Sequence, residues 1–231
     1  MTLAAELRTA LREAADPALA PGQQAYMKSA MPFLGVRLPE VRRITGARAR
    51  GVADAEELRA TALELWREAA YREERYAALA LLALRPMRAR LDLMGVHEEM
   101  IRTGAWWDYS DEIAHRVEET LAAHPRELAP LLRRWARDDD VWIRRVAIIA
   151  QLGRRDATDR TLLADVIEAN LGDPEFFIRK AIGWALRHLA RTDPEWVRAF
   201  VAAHPGLSPL SRREALKHLG AGDSAPPVAL R

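Results

Sequence analysis

The sequence predicts an all-α protein, and three observations carry that expectation. Apolar residues recur at helical spacing from one end of the chain to the other. Strand signals are nearly absent, with few β-branched runs and no Asn-Gly or Asp-Gly hairpin turn. Helix punctuation recurs at short intervals, as in Asp173-Pro174-Glu175 and Asp193-Pro194-Glu195, where an N-capping acid precedes a proline suited to the first helical position. His124-Pro125-Arg126-Glu127 and Leu38-Pro39-Glu40 read similarly, with weaker caps.

Taken in order, the expected helices start with 3–15, 21–31, 38–48 (opened by Leu38-Pro39-Glu40), 54–66 and 71–85, which carries the longest apolar run, Tyr76 to Leu84. There follow 87–101, 106–122, 125–136 (opened at Pro125) and 140–152, preceded by the acid run Asp138-Asp139-Asp140, which reads as a capping cluster. The last are 158–169, then 174–190 and 193–203, each opened by Asp-Pro-Glu, and 209–219. Residues 223–231 read as a flexible C-terminal tail, leaving 1–222 as one domain.

An internal period gives the architecture. WIRRVAII (142–149) aligns with FIRKAIGW (177–184) at a shift of 35 residues, and the same step back from Arg145 reaches Ser110 and then Arg75. Each of these stretches is the apolar second helix of a helix pair of roughly HEAT-like size. Stacked pairs predict a right-handed α-solenoid, a curved superhelix whose concave groove is lined by one helix from each pair.

Composition narrows the function classes. The chain has no cysteine, which removes disulfide scaffolds, thiolate zinc sites, iron–sulfur clusters and cysteine nucleophiles, and suits a reducing, cytoplasmic setting. Tyr76 to Leu84 falls far short of the ~20 apolar residues of a membrane span, and the amino terminus carries Glu6, Glu13 and Asp16 in place of a secretory apolar core. Net charge is only +2, with 35 basic residues against 33 acidic ones spread evenly along the chain. Affinity for nucleic acid therefore requires cations gathered on one face. All but three of the basic residues (Lys28, Lys180 and Lys217) are arginine, which fits bidentate phosphate recognition or simply genomic base composition. The six histidines show no metal-ligand spacing, and no glycine-rich phosphate loop occurs, so neither a metal nor a cofactor is expected.

Two helices carry candidate chemistry. On 174–190, Ile178, Ile182, Ala185 and Leu189 form a core stripe, while Phe177, Lys180, Trp184, Arg187 and Arg191 form a second stripe about 140° away. Either Trp184 packs beneath the next repeat under Lys and Arg stems, or it is an aromatic platform in a cationic groove. On 106–122, Trp107 and Asp111 share a face with the small residues Ser110 and Ala114. Asp111 is either a catalytic carboxylate or half of an inter-repeat Asp–Arg pair, with Arg145 one repeat onward as the partner. Arg212, Arg213 and Lys217 on the last helix are candidates for phosphate contact or an ordinary charged surface.

WWDYSDEIAHRV (106–117), VWIRRVAIIAQL (141–152) and DPEFFIRKAIGWALRHLARTDPEWV (173–197) resemble the AlkD-like DNA alkylation-repair glycosylases, with support from YMKSAMPFLGVRLPEVRR (26–43) and LSRREALKHL (210–219). The WWDxxD and EFFIxKAIGWxLR segments are specific; generic HEAT repeats lack them. The resemblance implies that Asp111 is the catalytic carboxylate, that Trp107 and Trp184 flank the lesion's sugar, and that Arg145 lies near the damaged nucleotide's backbone. Tyr26, Phe176 and Phe177 fall in matching segments. The implied activity is monofunctional hydrolysis of the N-glycosidic bond of cationic N3- or N7-alkylated purines, leaving an abasic site. The expected partner is double-stranded DNA containing alkylated purines, bound by a monomer. The competing readings are a DNA-structure binder without hydrolytic activity and a protein-binding adaptor.

Overall fold

The computed structural model describes residues 1–219, in which thirteen α-helices and three short 3₁₀ turns account for the regular structure and no strand occurs. The expected tail lies outside the described residues. Backbone packing groups the chain into two compact units, Met1–Val96 and a second beginning at His97. No described helix is long and apolar enough to cross a membrane.

The first unit contains α1 (Leu3–Glu13), α2 (Ala20–Met27), α3 (Leu38–Arg48), α4 (Ala55–Arg67) and α5 (Arg72–Leu82). α5 packs against α1, α3 and α4, burying Leu7, Leu11, Val41, Leu58, Leu65, Trp66, Ala77 and Leu81. Its first turn also buries an acid. Glu73 is fully enclosed, and its carboxylate accepts the backbone N–H groups of Leu34 at 2.9 Å, Gly35 at 2.9 Å and Val36 at 3.1 Å. Three such bonds compensate the desolvation of the charge and fix the 33–36 segment. Gly35 sits there at φ 90°, and a β-carbon on it would lie 2.0 Å from the Asp16 carbonyl oxygen, so only glycine fits.

Left-handed residues account for two departures from the expected helices. The one expected at 21–31 ends at Met27, because Lys28 adopts φ 49° and closes it with a left-handed residue. The one expected at 87–101 is replaced at its start by 3₁₀ turns at Arg85–Met87 and Leu91–Leu93, with Ala89 at φ 55° between them. A continuous α-helix cannot pass through that residue, and α6 begins only at Met94, running to Gly104.

The second unit is a stack of helical pairs. α7 (Trp107–Ala123), α9 (Val141–Ile149), α11 (Phe176–Leu189) and α13 (Pro209–Leu216) form one row, each packed on the next. α8 (Pro125–Trp135), α10 (Arg160–Glu168) and α12 (Pro194–Ala203) lie against them from the other side. Tyr109, Ile113, Val117, Leu132, Trp135, Ile143, Val146, Ile167, Ile178, Ile182, Leu186, Val197 and Phe200 fill the space between. Caps set the boundaries: Asp140 accepts from the Trp142 N–H at 2.7 Å, Asp159 from Leu162 at 3.0 Å and Asp193 from Trp196 at 3.1 Å. Asp138 in turn accepts from the Asp140 N–H at 2.9 Å, so the acid run is a capping cluster as expected. Asp173 does not open α11, which starts at Phe176; its carboxylate instead accepts from Glu175 N–H and binds Arg144 at 3.0 Å.

Ion pairs join successive layers at close to the sequence period. Arg133 of α8 meets Asp165 of α10 at 2.6 Å, and Arg160 of α10 meets Asp193 at 2.6 Å. Arg145 of α9 meets Asp111 of α7 at 2.7 Å, and Lys180 of α11 meets Glu214 of α13 at 3.0 Å.

Candidate active site

The α7–α9–α11 row brings Asp111, Arg145, Phe177 and Trp184 together. Arg145 Nε donates to Asp111 Oδ1 at 2.7 Å and Nη2 to Oδ2 at 2.8 Å, a two-point bridge between residues 34 positions apart. Arg145 Nη1 donates to the Phe177 carbonyl oxygen at 2.8 Å. The guanidinium carbon lies 5.8 Å from the Phe177 ring centre and 6.0 Å from that of Trp184, within cation–π range. Three helices thus fix one guanidinium, which fixes the carboxylate. The pair is unevenly covered: the Arg145 side chain is 5% exposed and that of Asp111 19% exposed. The carboxylate is the member that solvent, or a ligand, can reach.

The Asp111 surroundings are small, as expected. Ser110 and Ala114 are buried, and Ser110 Oγ stands 3.2 Å from the Trp107 carbonyl oxygen and 3.4 Å from Asp111 Oδ1. Trp107 is half-buried and opens α7, one turn before Asp111. Helix initiation at this point follows from Ala105 at φ 45° and the extended Trp106, which turn the chain sharply into α7. Trp106 packs elsewhere. Its ring centre is 5.8 Å from Trp142 and 5.8 Å from Phe177, and the latter two are 4.9 Å apart. Phe176 stands edge-on to Phe177 at 5.4 Å and is 52% exposed. Each such ring pair contributes roughly 0.5–1.5 kcal/mol beyond area burial, so the cluster braces the starts of α7, α9 and α11.

Trp184 is half-buried on α11, with His188 edge-on at 6.2 Å. Desolvation lowers the His188 pKa despite a bond between its Nδ1 and the Leu152 carbonyl oxygen. Lys180 and Arg187, read from the sequence as cations flanking Trp184, share one anion that the sequence reading missed. Glu214 receives Lys180 Nζ at 3.0 Å on one oxygen and Arg187 Nη1 on the other. The Lys180 hydrogen bond, then the charges of Lys180, Arg187 and Lys217, hold the Glu214 carboxyl below its ordinary range. Glu214 approaches closely because position 183 is glycine: a β-carbon there would lie 2.5 Å from Glu214 Cβ.

Neither Arg212 nor Arg213 of α13 joins this constellation. Arg212 is half-buried and donates to the Val201 and His204 carbonyl oxygens at 3.3 Å, closing the end of α12. Arg213 is exposed on α13, and Tyr26 is 74% exposed on α2 of the first unit. Among the described residues no group of three His, Asp or Glu side chains could hold a metal ion. Chemically, the site offers an oriented carboxylate beside aromatic faces, the means to stabilise a developing cation.

The family described as DNA alkylation repair enzyme matches residues 7–219. Among solved structures, a predicted DNA alkylation repair enzyme from Enterococcus faecalis is 29% identical; the match covers 90% of this chain and 98% of that one, with a TM-score of 0.80. No match was found among curated proteins.

Proposed function

Because the chain belongs to the DNA alkylation repair enzyme family, which ties it to repair of alkylation damage, we propose that it is a DNA glycosylase acting on cationic N3- or N7-alkylated purines in duplex DNA. The observation that carries this reading is the Asp111 carboxylate, oriented at two points by Arg145 yet left the more exposed partner, with that arginine in turn within cation–π range of Phe177 and Trp184 of α11.

Glycoside cleavage ordinarily needs two carboxyl groups, one to protonate the leaving group. An alkylated purine with a formal positive charge departs as a neutral base, so no general acid is needed. The electron pair of the C1′–N bond leaves with the base, the sugar becomes oxocarbenium-like, and water supplies the oxygen at C1′ and loses a proton. One carboxylate can stabilise that sugar and align the water. At about 4 Å and an effective dielectric near 20 its charge contributes ~4 kcal/mol, on the order of a thousandfold in rate. Arg145 offsets part of this, so the carboxylate must lie nearer the sugar than the guanidinium does. Indole faces beside the cation add roughly 1–2 kcal/mol when desolvated. Among the described residues Asp111 pairs with an arginine rather than with a lysine that would serve as a Schiff-base nucleophile, which favours simple hydrolysis to an abasic site.

The test is base release from a duplex containing N7-methylguanine, read as alkali-labile sites, for the wild type and Asp111→Asn. The variant keeps the shape and loses the charge; release should fall on the order of a thousandfold. Absence of release by the wild type, or full release by the variant, removes the reading. A second reading, a DNA-structure binder without hydrolytic activity, is favoured by the Asp111–Arg145 bridge itself, which also suits a layer-joining pair; duplex binding without base release would select it.

A further inference from the structure

We infer that Glu214 is a positioning residue for the DNA-facing stripe of α11: its single carboxylate holds Lys180 and Arg187 on either side of Trp184 and takes up one of their two charges. The inference rests on the glycosylase reading above only for the direction in which Trp184 faces. Lys180 precedes the indole by one helical turn and Arg187 follows it by nearly one, so all three project from one stripe. Both are long, rotamer-rich side chains that would otherwise sample many positions.

The anion is built into the fold. Its side chain is only 12% exposed, and its β-carbon occupies the space that any side chain at Gly183 would need. α13 is tied to α11 beside it, because Ser211 is buried and its Oγ donates to the Arg179 carbonyl oxygen at 2.8 Å. An acid among cations meant for phosphates weakens DNA binding, since it removes one counterion-releasing charge. A plain interhelical staple needs one cation; an acid bridging two cations that bracket an indole fixes the spacing of both. In this arrangement Glu214 exchanges non-specific affinity for order: the Lys180–Arg187 pair carries one net positive charge in place of two, at defined places around Trp184.

The test uses the full-length protein and Glu214→Gln, which keeps the contact with Gly183 and removes the charge. Affinity for an undamaged duplex is measured across salt concentrations, and base release from the N7-methylguanine duplex is measured in single turnovers at saturating enzyme. Glu214→Gln should bind undamaged duplex more tightly at low salt, with a log–log salt slope steeper by about one. It should release base roughly ten- to a hundredfold more slowly, the scale expected of a small misplacement. Glu214→Asp should restore the salt slope. An unchanged slope shows that these cations do not meet DNA and overturns the inference; a steeper slope with undiminished release overturns the positioning role. Should Glu214→Gln fail to fold, Lys180→Gln decides: a slope shallower by about one supports the inference and an unchanged slope overturns it. A wild type that releases no base sinks the glycosylase reading, while the salt slopes still report on Glu214.

Discussion

Arg145 holds both oxygens of Asp111 and the carbonyl of Phe177 with separate donors, so one nearly buried guanidinium joins α7, α9 and the first turn of α11. Removing it strands a carboxylate and a carbonyl together. Arg145→Met should destabilise the protein by about 3–5 kcal/mol, the range for breaking a covered pair from one side. Arg145→Lys should recover part of that, since it restores charge without the fork. Urea denaturation of the three proteins measures the difference; equal midpoints for Arg145→Met and the wild type would show that the bridge is not needed for stability.

Trp184 lies within cation–π range of Arg145 while remaining half-exposed. Replacing it with Ala should slow single-turnover base release about tenfold, the rate equivalent of the ~1–2 kcal/mol attributed to an aromatic face beside a desolvated cation. Trp184→Phe should lose less. A Trp184→Ala enzyme with the wild-type rate would show that the indole serves packing alone.

His97 is an acid-sensitive group in the interior. His97 is buried with neither ring nitrogen hydrogen-bonded, and burial, reinforced by the charge of Arg116, lowers its pKa from 6.5 to about 4. The unfolded chain takes up a proton near pH 6.5 that the folded chain refuses until about pH 4. Stability from this group is therefore complete above pH 6.5 and declines as pH falls toward 4, by ~3 kcal/mol in all. Urea midpoints at pH 7.5 and 5 should diverge for the wild type and much less for His97→Leu. Identical pH responses would contradict the assignment.

Gly183 faces Glu214 Cβ and the Ser211 carbonyl oxygen, at 2.5 and 3.0 Å from an ideal β-carbon. Alanine favours helix by ~1 kcal/mol over glycine in an open helix, yet here it forces α13 outward at ~1–3 kcal/mol. Gly183→Ala should lower the melting temperature, and a higher one would mean that α13 yields freely.

Legibility from sequence followed the range of the interaction. Asp140 and Asp193 announced their helices because a cap acts within three residues. Asp173 misled, since its carboxylate serves Arg144 rather than the helix after Pro174. Ala89 in the left-handed region broke an expected helix that no glycine had flagged. The Asp111–Arg145 pair was foreseeable from the 35-residue period, being one repeat apart in a row of like helices. The grip of Glu214 on Lys180 and Arg187 was not, because one side chain serves two partners on another helix and periodicity names only one. Arg212 likewise showed its charge in the sequence but not the two carbonyls at the end of α12 that engage it. The catalytic role proposed for Asp111 rests on the resemblance of its segment, since charge and spacing alone allow a staple as well as a catalyst.

The ladder of charges between layers makes the second unit behave like a toothed rack. Arg133, Arg160 and Lys180 each engage an acid in the following layer, at separations of 32 and 33 residues for the first two. A deletion of one or two residues within a layer would carry several teeth off their notches together, so whole layers can be gained or lost more readily than fractions of one.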